Sequence, residues 1–228
     1  MKRFATKLAL TAVLIFSAAF GVRAQYYQIA NQLSGLISPA LSGSMNYKGY
    51  VELSGLAGFG GNSANFVGIS TSQGFRYSSW FFMGVGLGVD MAVVRGDVDG
   101  RNDYTGSYPS YYDHSSSKTR AMIPVFTDFR FNIGGQTGPS AYIDLKTGAT
   151  WLMGSSYLTL QHGRLSGATQ FYLKPSIGVR VPVSKTDSRQ AFNIGLTYQL
   201  ITSNSNYYRW NSDAVTLNAL GLSIAYEW

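Results

Sequence analysis

Residues 81–91 read FFMGVGLGVDM. Phe81, Met83, Val85, Leu87, Val89 and Met91 fall on one parity, and Gly84, Gly86, Gly88 and Asp90 on the other. An apolar set recurring every second residue is the mark of a β-strand with one apolar face, since successive side chains of a strand point to opposite sides. Working outward, the same test succeeds in seven more stretches. Before it, Tyr47, Val51, Leu53, Ala57 and Phe59 alternate with Lys48, Tyr50, Glu52 and Ser54, and Val67, Ile69, Thr71 and Phe75 with Ser70, Ser72, Gly74 and Arg76. After it come Ala121 to Phe131 around Pro124, Asp128 and Arg130, then Ala141 to Trp151 around Tyr142, Asp144 and Lys146. Phe171 to Val181 around Tyr172, Lys174, Ser176 and Arg180 follow, then Phe192 to Leu200 around Asn193, Thr197 and Gln199. The last run is Leu220, Leu222, Ile224, Tyr226 and Trp228 against Ser223 and Glu227.

Eight half-apolar strands close most simply into a barrel, and alternation alone leaves open which face points inward. A soluble barrel holds its apolar side chains inside, whereas a transmembrane barrel turns them to lipid and keeps a polar lumen. The distribution of charge decides for the second. No apolar-face position carries a charge, while the other parity holds Lys48, Arg76, Arg130, Lys146, Lys174 and Arg180 against Glu52, Asp90, Asp128, Asp144 and Glu227. Six cations and five anions can largely neutralise one another in a closed interior. The glycine row of the third run suits a narrow lumen crowded by neighbouring side chains. The runs also match the roughly 9 to 11 residues that a tilted strand needs to cross hydrocarbon. Connection lengths agree: Ser78-Ser79, 134–139 and 184–188 are short, and of the other set 96–119, 152–167 and 202–214 are long and polar while only 60–64 is short, the asymmetry of periplasmic turns and surface loops. The expected fold is thus an all-β, eight-stranded antiparallel up-and-down transmembrane barrel over 47–228.

The 228-residue composition is consistent with this: 45% hydrophobic, 14% aromatic, 26 Gly and no Cys. The missing Cys excludes a disulfide scaffold, a thiolate metal site and a lipidated N-terminal cysteine. The longest apolar run, residues 8–20, is too short for a membrane-spanning helix. With Lys2, Arg3 and Lys7 before it and Val22-Arg23-Ala24 after it, residues 1–24 read as a signal peptide cleaved before Gln25. Cleavage removes four cations (Lys2, Arg3, Lys7, Arg23) and no acid, so the net charge falls from +7 to +3. No basic stripe survives for nucleic acid. In 25–46, Ile29, Leu33, Leu36 and Ile37 have helical spacing and Pro39 would end the helix, so this piece reads as a periplasmic helix against the barrel mouth or as a spacer.

The signal peptide, the eight runs and the terminal strand Leu220-x-Leu222-x-Ile224-x-Tyr226-x-Trp228 resemble the small outer-membrane barrels of the OmpA-like and OmpX-like family. That resemblance implies a bacterial outer-membrane location, contact with outer-membrane lipid, and a final aromatic strand read by the barrel assembly machinery. It also implies a structural or surface-interaction role. The aromatics Tyr104, Tyr108, Tyr111, Tyr112, Tyr207, Tyr208 and Trp210 in the long connections are candidates for contact with a surface ligand. A narrow pore for small solutes is the alternative, for which the Gly84, Gly86, Gly88 row could leave room. A lipid-modifying enzyme is a second one. Asp113-His114-Ser115-Ser116 has the residue types of a hydrolytic triad, but sequence neighbours rarely converge as triads do. His162, beside Gln161 and Arg164, reads as a loop residue in the same way. Asp97, Asp99 and Asp103 miss a calcium loop, because Gly100 is at the wrong offset and Tyr108 stands in the place of the bidentate Glu. Arg95-Gly96-Asp97 falls where a strand gives way to a loop, which accounts for its Gly and Asp. We expect no catalytic group, metal or cofactor.

Overall fold

The computed structural model describes residues 46–94, 119–134, 138–154, 157–160, 164–166, 169–184, 189–203 and 215–228. The signal peptide, the segment 25–45 and both expected recognition loops lie outside these residues. So do His114, His162 and the Asp97 to Asp103 cluster.

The described residues form ten strands: β1 (Asn46–Phe59), β2 (Ala64–Arg76), β3 (Phe81–Val94), β4 (Thr119–Ile133), β5 (Ser140–Leu152), β6 (Tyr157–Thr159), β7 (Arg164–Ser166), β8 (Gln170–Pro182), β9 (Ala191–Ser203) and β10 (Val215–Glu227). Eight of them close a barrel in the order β1-β10-β9-β8-β5-β4-β3-β2, every neighbour pair antiparallel. The closing seam joins the first strand to the last, from Tyr50 opposite Glu227 to Phe59 opposite Asn218. One further step, Gly49 N–H to Trp228 O and Trp228 N–H to Gly49 O at 3.1 Å each, prolongs it. With no free edge, every strand of the barrel has a hydrogen-bonded neighbour on each side, which is what hydrocarbon requires.

Two prolines interrupt this ladder. Pairing of β3 with β4 skips from Leu87–Val125 to Asp90–Met122 around Pro124. Pairing of β8 with β9 skips from Leu173–Leu200 to Ser176–Thr197 around Pro175. Proline has no N–H to donate, so each costs a rung on one side while the pairing with β5 continues on the other.

The facing agrees with the alternation in all eight strands. Leu53, Val67 and Leu222 are exposed by 60%, 66% and 62%, whereas the acids and bases of the opposite parity are buried. A water-soluble protein does the reverse, and an exposed apolar belt running round the whole barrel calls for an apolar surrounding. Aromatics gather at the short-turn end: Trp80, Phe81 and Phe131 have ring centroids 5.2 to 6.0 Å apart, and Phe192, Tyr226 and Trp228 form a second group. Phe59 against Tyr198, and Trp151 donating to Thr169 Oγ1 at 3.0 Å, lie toward the other end.

One connection differs from expectation. The stretch after β5, read from sequence as a long polar loop, contains the hairpin β6–β7, and its Leu158, Leu160 and Leu165 are buried. Three leucines two and five positions apart in a polar context have no period to betray them, and they join the apolar residues of the barrel interior.

Candidate functional site

The interior is in two parts. At the long-loop end it is apolar: Leu56, Phe66, Met122, Phe126, Ile201 and Leu217 project inward, and the three hairpin leucines join the same buried cluster. The sequence reading of a polar lumen is corrected for this end. Met122 and Phe126 share the inward parity of Asp128 and Arg130, and Phe66 that of Ser70, so the signal was present as apolar residues on the polar face.

The space above the glycine row is occupied. A Cβ on Gly84 would come within 2.7 Å of the Phe82 ring, and one on Gly86 would collide with the ring of Phe126, its cross-strand partner. A Cβ on Gly68 would strike the Asp90 carboxylate. These glycines make room for neighbouring side chains rather than for solute, since protein interiors fill to near crystal density.

The remainder of the interior is ionic, and all eleven charged residues expected there are buried in it. In the middle, Asp144 accepts from Arg130 Nη2 at 3.0 Å and from Lys146 Nζ at 2.9 Å. Lys146 also reaches Glu52 Oε2 at 2.5 Å, and Lys174 pairs with Glu52 Oε1 at 2.9 Å while donating to Ser54 Oγ at 2.9 Å. The Arg130 guanidinium carbon lies 4.0 Å and 4.8 Å from the ring centroids of Tyr50 and Tyr142, so two aromatic faces replace part of its lost hydration. Asp90 accepts from Gln199 Nε2 at 3.3 Å. Asp128 stands opposite Lys146 across β4–β5, and neither of its oxygens has a hydrogen-bond partner among the described residues. Beside this set a hydroxyl chain links Ser176, Thr197 and Ser223 at 2.9 and 2.7 Å. At the short-turn end Glu227 gathers Lys48 Nζ at 2.8 Å, Arg76 Nη2 at 2.7 Å and Arg180 Nε at 2.8 Å.

These contacts explain why the paired charges are tolerated. Eight strands leave an interior only wide enough for side chains, and a buried charge is stable there when it is paired and hydrogen-bonded. The pairs of Glu52 with Lys146 and Lys174, and of Glu227 with Arg76 and Arg180, join strands that are not neighbours in the barrel, so they tie the wall across the lumen as well as neutralising charge. The terminal strand's outward residues Leu220, Leu222, Ile224 and Tyr226 lie on the exterior with Trp228, whose ring occupies the space beside Gly49 that any side chain there would need.

Fold and interior together define the class: a closed, up-and-down, eight-stranded barrel with its apolar side chains outside and its ion pairs inside. No protein-family model matches the chain, and no curated protein matches it by sequence. Among solved structures it is similar to Neisserial surface protein A, at 11% identity over 79% of this chain and 95% of that one, with a TM-score of 0.48. It is similar to the outer membrane enzyme PagL at 11% identity, over 79% and 97% of the two chains, with a TM-score of 0.47. For the N-terminal β-barrel domain of Pseudomonas aeruginosa OprF the figures are 11%, 81% and 99%, and 0.41.

Proposed function

We propose that this chain is an integral β-barrel of the bacterial outer membrane, sealed to solutes, that contributes to envelope integrity and holds its long connections outside for contact with a surface ligand. The observation that carries the reading is the inverted polarity of the closed barrel: apolar side chains exposed all round, ion pairs buried within. In this reading residues 1–24 are the export signal, and the strand ending at Tyr226 and Trp228 is what the assembly machinery reads. The aromatic connections containing Tyr104 to Tyr112 and Tyr207 to Trp210 are the contact surfaces. No catalytic role is assigned.

The porin-like alternative has less support, because rings stand on the glycine row and the hairpin leucines sit in an apolar outer half. The test is reconstitution into vesicles containing brominated lipid. Trp80, Trp151 and Trp228 are outward or at a rim, so their fluorescence is expected to be quenched, and deletion of 97–117 or 204–213 is expected to abolish surface binding without altering the barrel's heat-modifiable migration. Unquenched tryptophans would refute the membrane reading, and surface binding that survives both deletions would refute the role of the loops. Replacing both His114 and His162 is expected to leave any lipid-modifying activity of the membrane unchanged. Loss of such an activity would instead favour the enzyme.

A further inference from the structure

Asp128 is fully buried on the inward face of β4, and no donor among the described residues reaches either of its oxygens. Asp144 is buried as completely on β5. Its Oδ2 accepts from both Arg130 and Lys146, while its Oδ1 meets no donor. The strand register sets the two acids side by side. Asp128 stands opposite Lys146, and Arg130 opposite Asp144 one inward position further on, so the acids occupy one diagonal of a square and the bases the other. The two carboxyl groups lie within hydrogen-bonding reach of each other.

The surrounding groups are engaged elsewhere. Arg130, held over the rings of Tyr50 and Tyr142, gives Nη2 to Asp144 and no nitrogen to Asp128. Lys146 Nζ donates to Asp144 and Glu52. Across the lumen Lys174 pairs with Glu52 and donates to Ser54, and the buried hydroxyls of Tyr50 and Tyr172 make no hydrogen bond among the described residues. On the other flank β3 presents Gly84 opposite Asp128 and, six residues on, Asp90, which accepts from Gln199. Two ionised carboxylates cannot hydrogen-bond to each other, and a buried charge without a donor is far costlier than a neutral acid. One proton between them removes both difficulties, because it makes Asp128 a donor and gives Asp144 Oδ1 the hydrogen bond it lacks. The two cations on Asp144 Oδ2 decide which of the acids stays ionised.

We propose that Asp128 and Asp144 share one proton at neutral pH, Asp128 being the neutral acid that donates to Asp144 Oδ1, and that this buried acid pair makes the barrel loosen as the pH rises. Loss of the proton to solvent sets a second negative charge against Asp144 and breaks the hydrogen bond between them.

Two measurements test it. In the first, infrared spectra are taken at neutral pH from the full chain folded in an uncharged maltoside detergent. Subtracting the spectrum of Asp128→Asn from that of the parent should leave one band of a protonated carboxyl group, and the same subtraction with Thr150→Val, in β5 toward the other end, should leave none. In the second, urea unfolding in vesicles is followed from about pH 5 upward. The folded parent then holds one proton that its unfolded chain has lost, so the unfolding equilibrium constant of the parent divided by that of Asp128→Asn should rise about tenfold per pH unit until the pair itself ionises. A missing carboxyl band, or a ratio that stays flat or falls with pH, would overturn the proposal. Failure of Asp128→Asn to fold would overturn it as well, since an amide keeps both the shape and the donated hydrogen bond of the neutral acid.

Discussion

Replacing Asp144 by Asn is the most informative change to the interior. The carboxylate is fully buried and neutralises two cations at once, Arg130 at 3.0 Å and Lys146 at 2.9 Å. Removing one partner of a buried pair leaves uncompensated charge in a medium of low dielectric constant and costs about 3 to 5 kcal/mol. Two features pull toward the lower end of that range. Lys146 keeps Glu52 at 2.5 Å, and Arg130 keeps its two tyrosine faces, each worth roughly 1 to 2 kcal/mol when desolvated. About 3 kcal/mol is therefore expected from urea unfolding of the barrel in vesicles, followed by tryptophan emission. The double variant Arg130→Met, Asp144→Leu removes both charges, and its cost should fall short of the summed single variants by about 1 to 3 kcal/mol. A loss under 1 kcal/mol for Asp144→Asn would mean that water screens these groups, and the picture of a packed ionic interior would fail.

Three other substitutions probe particular contacts. Gly86→Val drives a side chain into Phe126 and the Thr71 carbonyl and should cost about 1 to 3 kcal/mol, while Gly55→Ala on the outer face meets nothing within 4 Å and should stay within about 0.5 kcal/mol of the parent in the same unfolding assay. Gly49→Val displaces the Trp228 ring from the seam, which should shift tryptophan emission and raise hydrogen exchange at the start of β1 and the end of β10, with the other seven strand pairs unaffected. Replacing Leu158 and Leu165 together by Asp should release β6–β7 from the interior, read as fast amide exchange across 157–166 while the barrel strands remain protected.

The wall of the barrel was legible in the sequence because one physical demand dominates it. Lipid outside and ion pairs inside act on every second residue, so the parity of Val85, Leu87 and Val89 in β3, or of Leu220, Leu222 and Ile224 in β10, is set locally. The identity of the inward charges could be read for the same reason. Their partners could not, since Lys146 meets Glu52 across the lumen from strands 94 residues apart, and no local pattern encodes that approach. The apolar outer half was missed differently. Phe66, Met122 and Phe126 occupy the polar parity, and their meaning appears only when Phe126 is placed opposite Gly86 and the hairpin leucines are seen to join them. The two ladder breaks could be foreseen at Pro124 and Pro175, since neither residue has an N–H, but which neighbour loses its rung depends on barrel order.

The central claim is that the barrel is sealed, with an ionic inner part and an apolar outer one. Single-channel recording of the refolded protein in a planar bilayer tests it most directly. Insertion confirmed by heat-modifiable migration, with no discrete openings, is the predicted result. Stable openings whose conductance changes when Lys146 or Arg180 is neutralised would contradict it.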